Sequence, residues 1–360
     1  MRRTVAFLVV VMAALLIPGT PAWASLQWHI EPTALPADPT GSALGAVSCV
    51  SADFCMAVGK KQETQVAGLA EEYTAGSWAL SPLPNVAGDT HLSDVSCTSA
   101  TACTTVGYAV AGGATTPLAM RWDGTAWSRQ TLPVIAGGEL YGVSCVAGFT
   151  WCLGVGRSAA GAVALLWNGT TWAPTTVPGT AAGDQLTGVS CTQRGACTAV
   201  GRTAASQPLI ERWSGGGTWT AQPAAHSNDG LSRVSCASAT FCVAAGYFVS
   251  SYLGADIETW NGTTWVTSVV GQYFRLDGVS CASATNCMAV GSTQNSPITP
   301  VAYRWDGSSW TATAAPVPSG STLTVFTGVS CPAATVCRAA GYWRPNQDPN
   351  DSRPLAERWS

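Results

Sequence analysis

The sequence predicts an all-β fold: a seven-bladed β-propeller with four antiparallel strands per blade, closed by the mature N-terminal strand. Three observations predict it. First, one phrase recurs seven times with substitutions, reading roughly L-x-G-V-S-C, a short polar gap, C-x-A-V-G, a variable stretch, then W-(D/N)-G-x-x-W. Second, its leading cysteines are 48, 48, 46, 45, 45 and 50 residues apart. That period suits blades of short strands better than helical repeats. Third, the seventh copy stops at Glu357-Arg358-Trp359-Ser360, before its fourth strand, and a matching piece stands near the other end of the chain.

Each blade is justified strand by strand. The first strand is L-x-G-V-S-C, as in Leu186 to Cys191, and the second is C-x-A-V-G, as in Cys197 to Gly201. A short polar loop between them reads as a hairpin. The third strand ends at Tyr73, Trp122, Trp167, Trp213, Trp260, Trp305 and Trp359. The fourth begins at Trp78, Trp127, Trp172, Trp219, Trp265 and Trp310. Between these aromatics stand Asp123-Gly124, Asn168-Gly169, Asn261-Gly262 and Asp306-Gly307. Such pairs supply the positive φ of a tight turn, so the recurring Asp is a turn residue before it is a catalytic one. Trp28-His29-Ile30-Glu31-Pro32, followed by Leu35-Pro36, matches the fourth strands in character. Residues 25–40 are therefore expected to complete the last blade, because an open ring leaves a strand edge exposed.

Residues 1–24 read as a signal peptide: Arg2 and Arg3, an apolar core from Val5 to Ile17, and Ala22-Trp23-Ala24 before the cut. Residues 25–360 are expected to form one secreted domain, a monomer with no membrane span, since no later apolar run is long enough to cross. Without Arg2 and Arg3 the formal charge moves from −3 to −5, and only 10% of residues are charged. No basic stripe exists, which excludes nucleic acid as a partner class. In an exported chain the 14 cysteines should be oxidised. Seven disulfides are expected, each across its own hairpin at a separation that such a bond bridges. They join Cys49 with Cys55, Cys97 with Cys103, Cys145 with Cys152, Cys191 with Cys197, Cys236 with Cys242, Cys281 with Cys287, and Cys331 with Cys337. Zinc needs four ligands in one place, and the histidines are His29, His91 and His226. Neither a metal nor a cofactor is expected.

The alternation of a strand ending in V-G with a D-G-x-x-W turn resembles bacterial Asp-box (BNR) and kelch-like propellers. It is most similar in character to exported members with paired cysteines in each blade, over the whole mature chain. The Asp box proper sets its Trp five positions after its Asp, whereas Trp127 stands four after Asp123. The resemblance implies a propeller from a group holding hydrolases, lectins and scaffolds.

In a four-stranded meander the two recurring turns lie at one end of the blade. The loops that vary between copies lie at the other, where insertions in repeat proteins build binding faces. That end carries Tyr247, Phe248 and Tyr252, then Tyr273, Phe274 and Arg275, then Trp343 and Arg344 with amide and acidic neighbours. The expected ligand contacts are Tyr247, Tyr252, Tyr273, Phe274, Arg275, Trp343 and Arg344, with Tyr273, Trp343 and Arg344 central. Aromatics beside amides, carboxylates and arginine suit a glycan or an envelope protein. Asp94, Arg233 and Asp277 interrupt the small residues of the first strands and mark the channel as a second candidate. No catalytic residue is expected. The acids are scattered singly, without the paired carboxylates of a glycosidase, and no nucleophile elbow or phosphate loop appears. A non-enzymatic exported binding propeller is the leading reading, and a carbohydrate-active enzyme, sialidase-like or another hydrolase or lyase, is the alternative.

Overall fold

The computed structural model describes residues 26–34, 41–148, 150–227, 229–249, 253–348 and 350–360. The expected signal peptide, Leu35-Pro36 and Tyr252 lie outside them. Seven four-stranded antiparallel sheets form among the described residues, with no helix. The first strands are Ala43–Ser51, Asp89–Ser99, Glu139–Cys145, Gln185–Gln193, Asp229–Ser238, Phe274–Ser283 and Leu323–Ala333. Each touches the first strands of the blades on either side, and the seventh touches the first, so they line a closed ring.

The apolar core lies between successive sheets. Ala46, Met56 and Val58 of blade 1 pack with Leu92, Leu118 and Met120 of blade 2, and equivalent clusters join the other blades. A ring of side-chain hydrogen bonds crosses these interfaces. The serine of every V-S-C accepts the backbone N–H of the next blade's first cysteine, from Ser48 to Cys97 at 3.0 Å round to Ser330 and Cys49 at 2.9 Å. Recurrence of that serine is thus structural.

All seven expected disulfides form, with Cα separations of 3.9 to 4.0 Å: Cys49 to Cys55, Cys97 to Cys103, Cys145 to Cys152, Cys191 to Cys197, Cys236 to Cys242, Cys281 to Cys287 and Cys331 to Cys337. No cysteine is free. The second cysteine of each pair (Cys55, Cys103, Cys152, Cys197, Cys242, Cys287 and Cys337) is buried in the blade core. These sulfurs are packing atoms of the scaffold and take no part in a surface site. The D/N-G turns also hold. Asp123 Oδ1 accepts the N–H groups of Thr125 and Ala126 at 2.8 and 2.9 Å, Asp306 does the same for Ser308 and Ser309, and Gly124 and Gly307 have φ of +98° and +100°. Those hydrogen bonds hold both carboxyls below the usual range, Asp306 at about 2. An acid so occupied is a poor proton carrier at neutral pH.

The strand Trp28–Glu31 pairs with Arg353–Trp359, Trp28 opposite Trp359, in the register that Trp122 keeps with Trp127. Its Glu31 enters a charged node. Arg338, 1% exposed, donates from Nε to Glu31 Oε2 at 3.0 Å and from Nη1 to Ala52 O at 2.7 Å, with its guanidinium 3.6 Å over the Tyr73 ring. Trp78 Nε1 donates to the same carboxylate at 3.0 Å. Blade 7 is thereby bonded to blade 1 at the seam where the two ends of the ring meet.

Candidate functional site

The recurring glycine of each second strand explains how a site is built. A Cβ there would lie 1.9 to 2.1 Å from a first-strand carbonyl oxygen, at Gly59, Gly107, Gly156, Gly201, Gly246, Gly291 and Gly341 alike. Only glycine permits that approach. Opposite it, every first strand carries a β-bulge within L-x-G. A bulge re-aims a side chain out of the alternating pattern. The bulged residues are Gly45, Ser93, Tyr141, Thr187, Ser232, Asp277 and Thr327, and all line two adjoining cavities at the channel mouth. The residue after the glycine is the other variable position: Lys60, Tyr108, Arg157, Arg202, Tyr247, Ser292 and Tyr342. One repeated backbone device thus sets fourteen variable positions, of which twelve line the two cavities at the opening; Arg157 instead pairs with Glu139, and Ser292 is buried.

The two cavities differ in chemistry. One, of about 390 Å³, is lined by Arg202, Arg233, Arg275, Tyr247, Gln185 and Asp277. The other, of about 310 Å³, is lined by Lys60, His91, Tyr108, Tyr141 and Tyr342. They share Gly45 and Thr327 as a common border. His91 stacks on Tyr108 at 4.8 Å, and its pKa is lowered by desolvation and by the charge of Lys60, leaving the ring neutral at neutral pH. Desolvation also raises the Tyr108 and Tyr141 phenols, so both stay protonated.

Acids at the mouth are occupied. Glu139 accepts from both Arg157 and the Tyr141 hydroxyl. Asp277 is bound by Arg275, Nη2 to Oδ1 at 2.7 Å. Arg202 has no carboxylate partner among the described residues. Its Nη1 donates to Tyr247 Oη at 3.2 Å, and the Gln185 carboxamide oxygen, turned toward it, accepts from Nε at 2.7 Å.

Below the mouth the channel is stopped. Arg233 reaches across from blade 5, donating from Nη2 to Ser93 O of blade 2 at 3.1 Å and from Nη1 to Thr187 O of blade 4. Asp94 accepts from the N–H groups of Val95 and Val143 at 3.0 and 2.9 Å. Desolvation raises its pKa, against the pull of Arg233 and those two N–H groups. A cavity of about 130 Å³ lies at this level, walled by valines and by Gly278 and Gly328. Those two glycine backbones lie against each other so closely that a Cβ on Gly278 would fall 2.9 Å from the Gly328 main chain. Asp94 and Arg233 do occupy the small-residue position of L-x-G, as expected. Asp277 does not: it is the bulged residue one place earlier, and Gly278 fills the small position.

Of the contacts expected from the loops, Tyr247 and Arg275 meet at the mouth. Tyr273 sits on the link from blade 5 to blade 6 with φ +62° and is half exposed. Phe274 is buried and stacks on Tyr303 at 5.5 Å. Trp343 lies under Arg353, and Arg344 Nε donates to Ser352 Oγ at 2.9 Å, both outside the lining of the two cavities. Sequence reasoning missed Lys60, His91, Tyr108, Tyr141, Arg157 and Arg202. Their signal was available: each stands at the x of L-x-G, next to the repeat glycine, or opposite that neighbour.

No family model matches the chain, and no curated protein matches it. Solved propellers do. YCF48 bound to D1 peptide is 12% identical, with a TM-score of 0.59 over 93% of this chain and 94% of that one. The WD40 repeats of RRP9 are 9% identical, with a TM-score of 0.63 over 93% and 98%. The GH74 xyloglucanase from Xanthomonas campestris is 12% identical, with a TM-score of 0.60 over 91% of this chain and 55% of that one. At these identities the likeness shows a shared seven-bladed architecture and leaves function to the site.

Proposed function

We propose that the chain is an exported, non-enzymatic binding propeller that holds a cell-surface protein or glycan at the mouth of its central channel. The observation that carries this reading is the ring of variable side chains set by the bulge and the repeat glycine, above a channel stopped by Arg233. Concave, partly apolar openings with a few convergent polar groups are the usual binding sites of such folds. Seven disulfides suit an oxidising compartment and so favour export. The similar propeller YCF48 is bound to a D1 peptide, a precedent for peptide capture on this architecture. Tyr247 and Arg275 belong to the proposed contact, with Trp343 and Arg344 flanking it.

The enzymatic alternative lacks its machinery. Glu139 and Asp277 stand in blades 3 and 6, each in an ion pair with arginine, so among the described residues no two free carboxylates face a shared space at the mouth. The test is retention of the exported protein on polysaccharide, cell-wall and envelope-protein fractions, with reducing ends assayed in parallel. Retention without product supports binding. Turnover of a bound polysaccharide overturns it in favour of the hydrolase.

A further inference from the structure

We infer that the ligand held at the mouth is an acidic peptide segment of a surface protein, lying extended across the stopped channel, an assignment that rests on the binding reading above. Donors outnumber acceptors there. The carboxylates of Glu139 and Asp277 are consumed by Arg157 and Arg275. The bulged threonines direct their hydroxyl protons to backbone, Thr187 donating to Leu231 O at 2.7 Å and Thr327 to Leu44 O at 2.8 Å. The groups left without a charged partner are cations, and a neutral sugar brings no charge to complete them. Left over are the guanidinium of Arg202, hydrogen-bonded only to neutral groups, and the ammonium of Lys60, which has no carboxylate partner among the described residues. Cations set against neutral neighbours are what a carboxylate ligand completes, because charge-assisted hydrogen bonds are the strong ones.

Placement narrows the class further. Lys60 belongs to blade 1 and Arg202 to blade 4, on opposite sides of the opening. A ligand meeting both must span the mouth and carry separated anionic groups. The floor made by Arg233 prevents threading, so the segment lies over the channel. Beside Lys60, Tyr108 of blade 2 and Tyr342 of blade 7 line the same cavity, each with one ring face already covered, by His91 and Arg344, and its edge and remaining face left for an apolar side chain. An extended peptide with spaced acids and an intervening aromatic or aliphatic residue fits this alternation.

The experiment uses the exported protein and a fluorescein-labelled dodecapeptide of repeating Glu-Ala-Glu-Tyr, its Gln-for-Glu counterpart, and unlabelled polygalacturonate as competitor. Fluorescence anisotropy should show the Glu peptide binding at least about tenfold more tightly than the Gln peptide. Binding should weaken as salt rises from about 50 to about 300 mM. Arg202→Gln and Lys60→Gln should each weaken it at least about fivefold, with the thermal midpoint unchanged because both side chains are exposed. Equal binding of the two peptides, or variants that bind as the native protein does, would overturn the inference. Binding of polygalacturonate with no peptide signal would overturn it in favour of an acidic glycan. If surface fractions are still retained through the mouth while no acidic peptide binds, only the ligand class falls. If retention survives Arg202→Gln together with Lys60→Gln and Tyr108→Ala, the binding reading itself fails.

Discussion

The two ends of the ring are built from the same strands and behave oppositely. At the disulfide end the blades are nearly interchangeable: the same cysteine bridge, the same serine bond to the next blade, the same facing pair of aromatics and, in four of them, the same Asx turn between the pair. At the mouth no two neighbouring blades present the same pair of residues. The difference teaches that the repeat separates duties along each strand. Residues that fix distances between backbones recur, because the geometry they serve recurs. The bulged residues and the residues after the repeat glycine fix no recurring backbone distance and are free to differ. Substitutions at the first end should therefore cost stability, and those at the second should cost recognition.

The largest effect belongs to a departure from the repeat at the scaffolding end. Blade 7 places Arg338 where other copies carry Met, Thr, Leu or Val, and Glu31 of the closing strand answers it. Arg338→Ala leaves a carboxylate partly buried without its main partner, which costs about 3–5 kcal/mol for pairs of this kind. Equilibrium denaturation should show the loss. An unchanged midpoint would mean that the seam is held by Trp28 packing alone.

Next is a buried layer between the two ends. Glu71, Glu211, Glu258 and Glu357 repeat one third-strand position, and desolvation raises the first three to about 7 and the fourth to about 8. Glu258 is opposed by the N–H groups of Ala225 and His226, whereas neither oxygen of Glu357 has a hydrogen-bond partner. The native state keeps protons that the unfolded chain releases near pH 4.5. Stability is therefore full below about pH 4.5 and falls as pH rises through 7 to 8. The change is on the order of 3 kcal/mol for one such glutamate. Glu357→Gln should flatten the decline of the thermal midpoint between about pH 5 and 8, and a profile as steep as the native one would contradict the assignment.

A single disulfide ranks third. Replacing Cys97 and Cys103 with alanine opens a loop of 6 residues' separation, with an expected loss of about 2 kcal/mol in the chain-entropy account. Mouth binding should persist at a temperature where the variant is folded. Loss of binding in the folded variant would blur the division between the ends.

Smallest in stability are the mouth residues. Arg202→Gln should change unfolding free energy by less than about 0.5 kcal/mol, while ligand retention drops. A large destabilisation would show that Arg202 supports the fold.

Much of the architecture was legible because the physics that makes blades also makes them repeat. Cysteine spacing, the D/N-G pairs and the displaced Trp28 strand each have a local cause, and each appears where expected. The site was less legible for the same reason. Lys60, Tyr108 and Arg202 sit inside the second strand by sequence, and their one local mark is the recurring glycine before them, whose meaning the bulge opposite it supplies only in the fold. Their convergence depends on ring closure, which brings positions 45 to 50 residues apart to one opening. Attention to loop aromatics led to Tyr247 and Arg275, which line the mouth, and also to Phe274, whose apolar ring the blade core takes in. Asp277 looked equivalent to Asp94 until the bulge fixed the register.

The division of duties is tested most directly by retention on cell-surface fractions, measured against the native protein and alongside thermal midpoints for two variants. One carries Lys60→Gln, Tyr108→Ala and Arg202→Gln at the mouth; the other carries Asp123→Ala and Asp306→Ala in the far turns. The mouth variant should keep its midpoint and lose retention, and the turn variant should lose midpoint and, while folded, keep retention. The reverse pattern, or loss of both properties in both variants, would contradict the account.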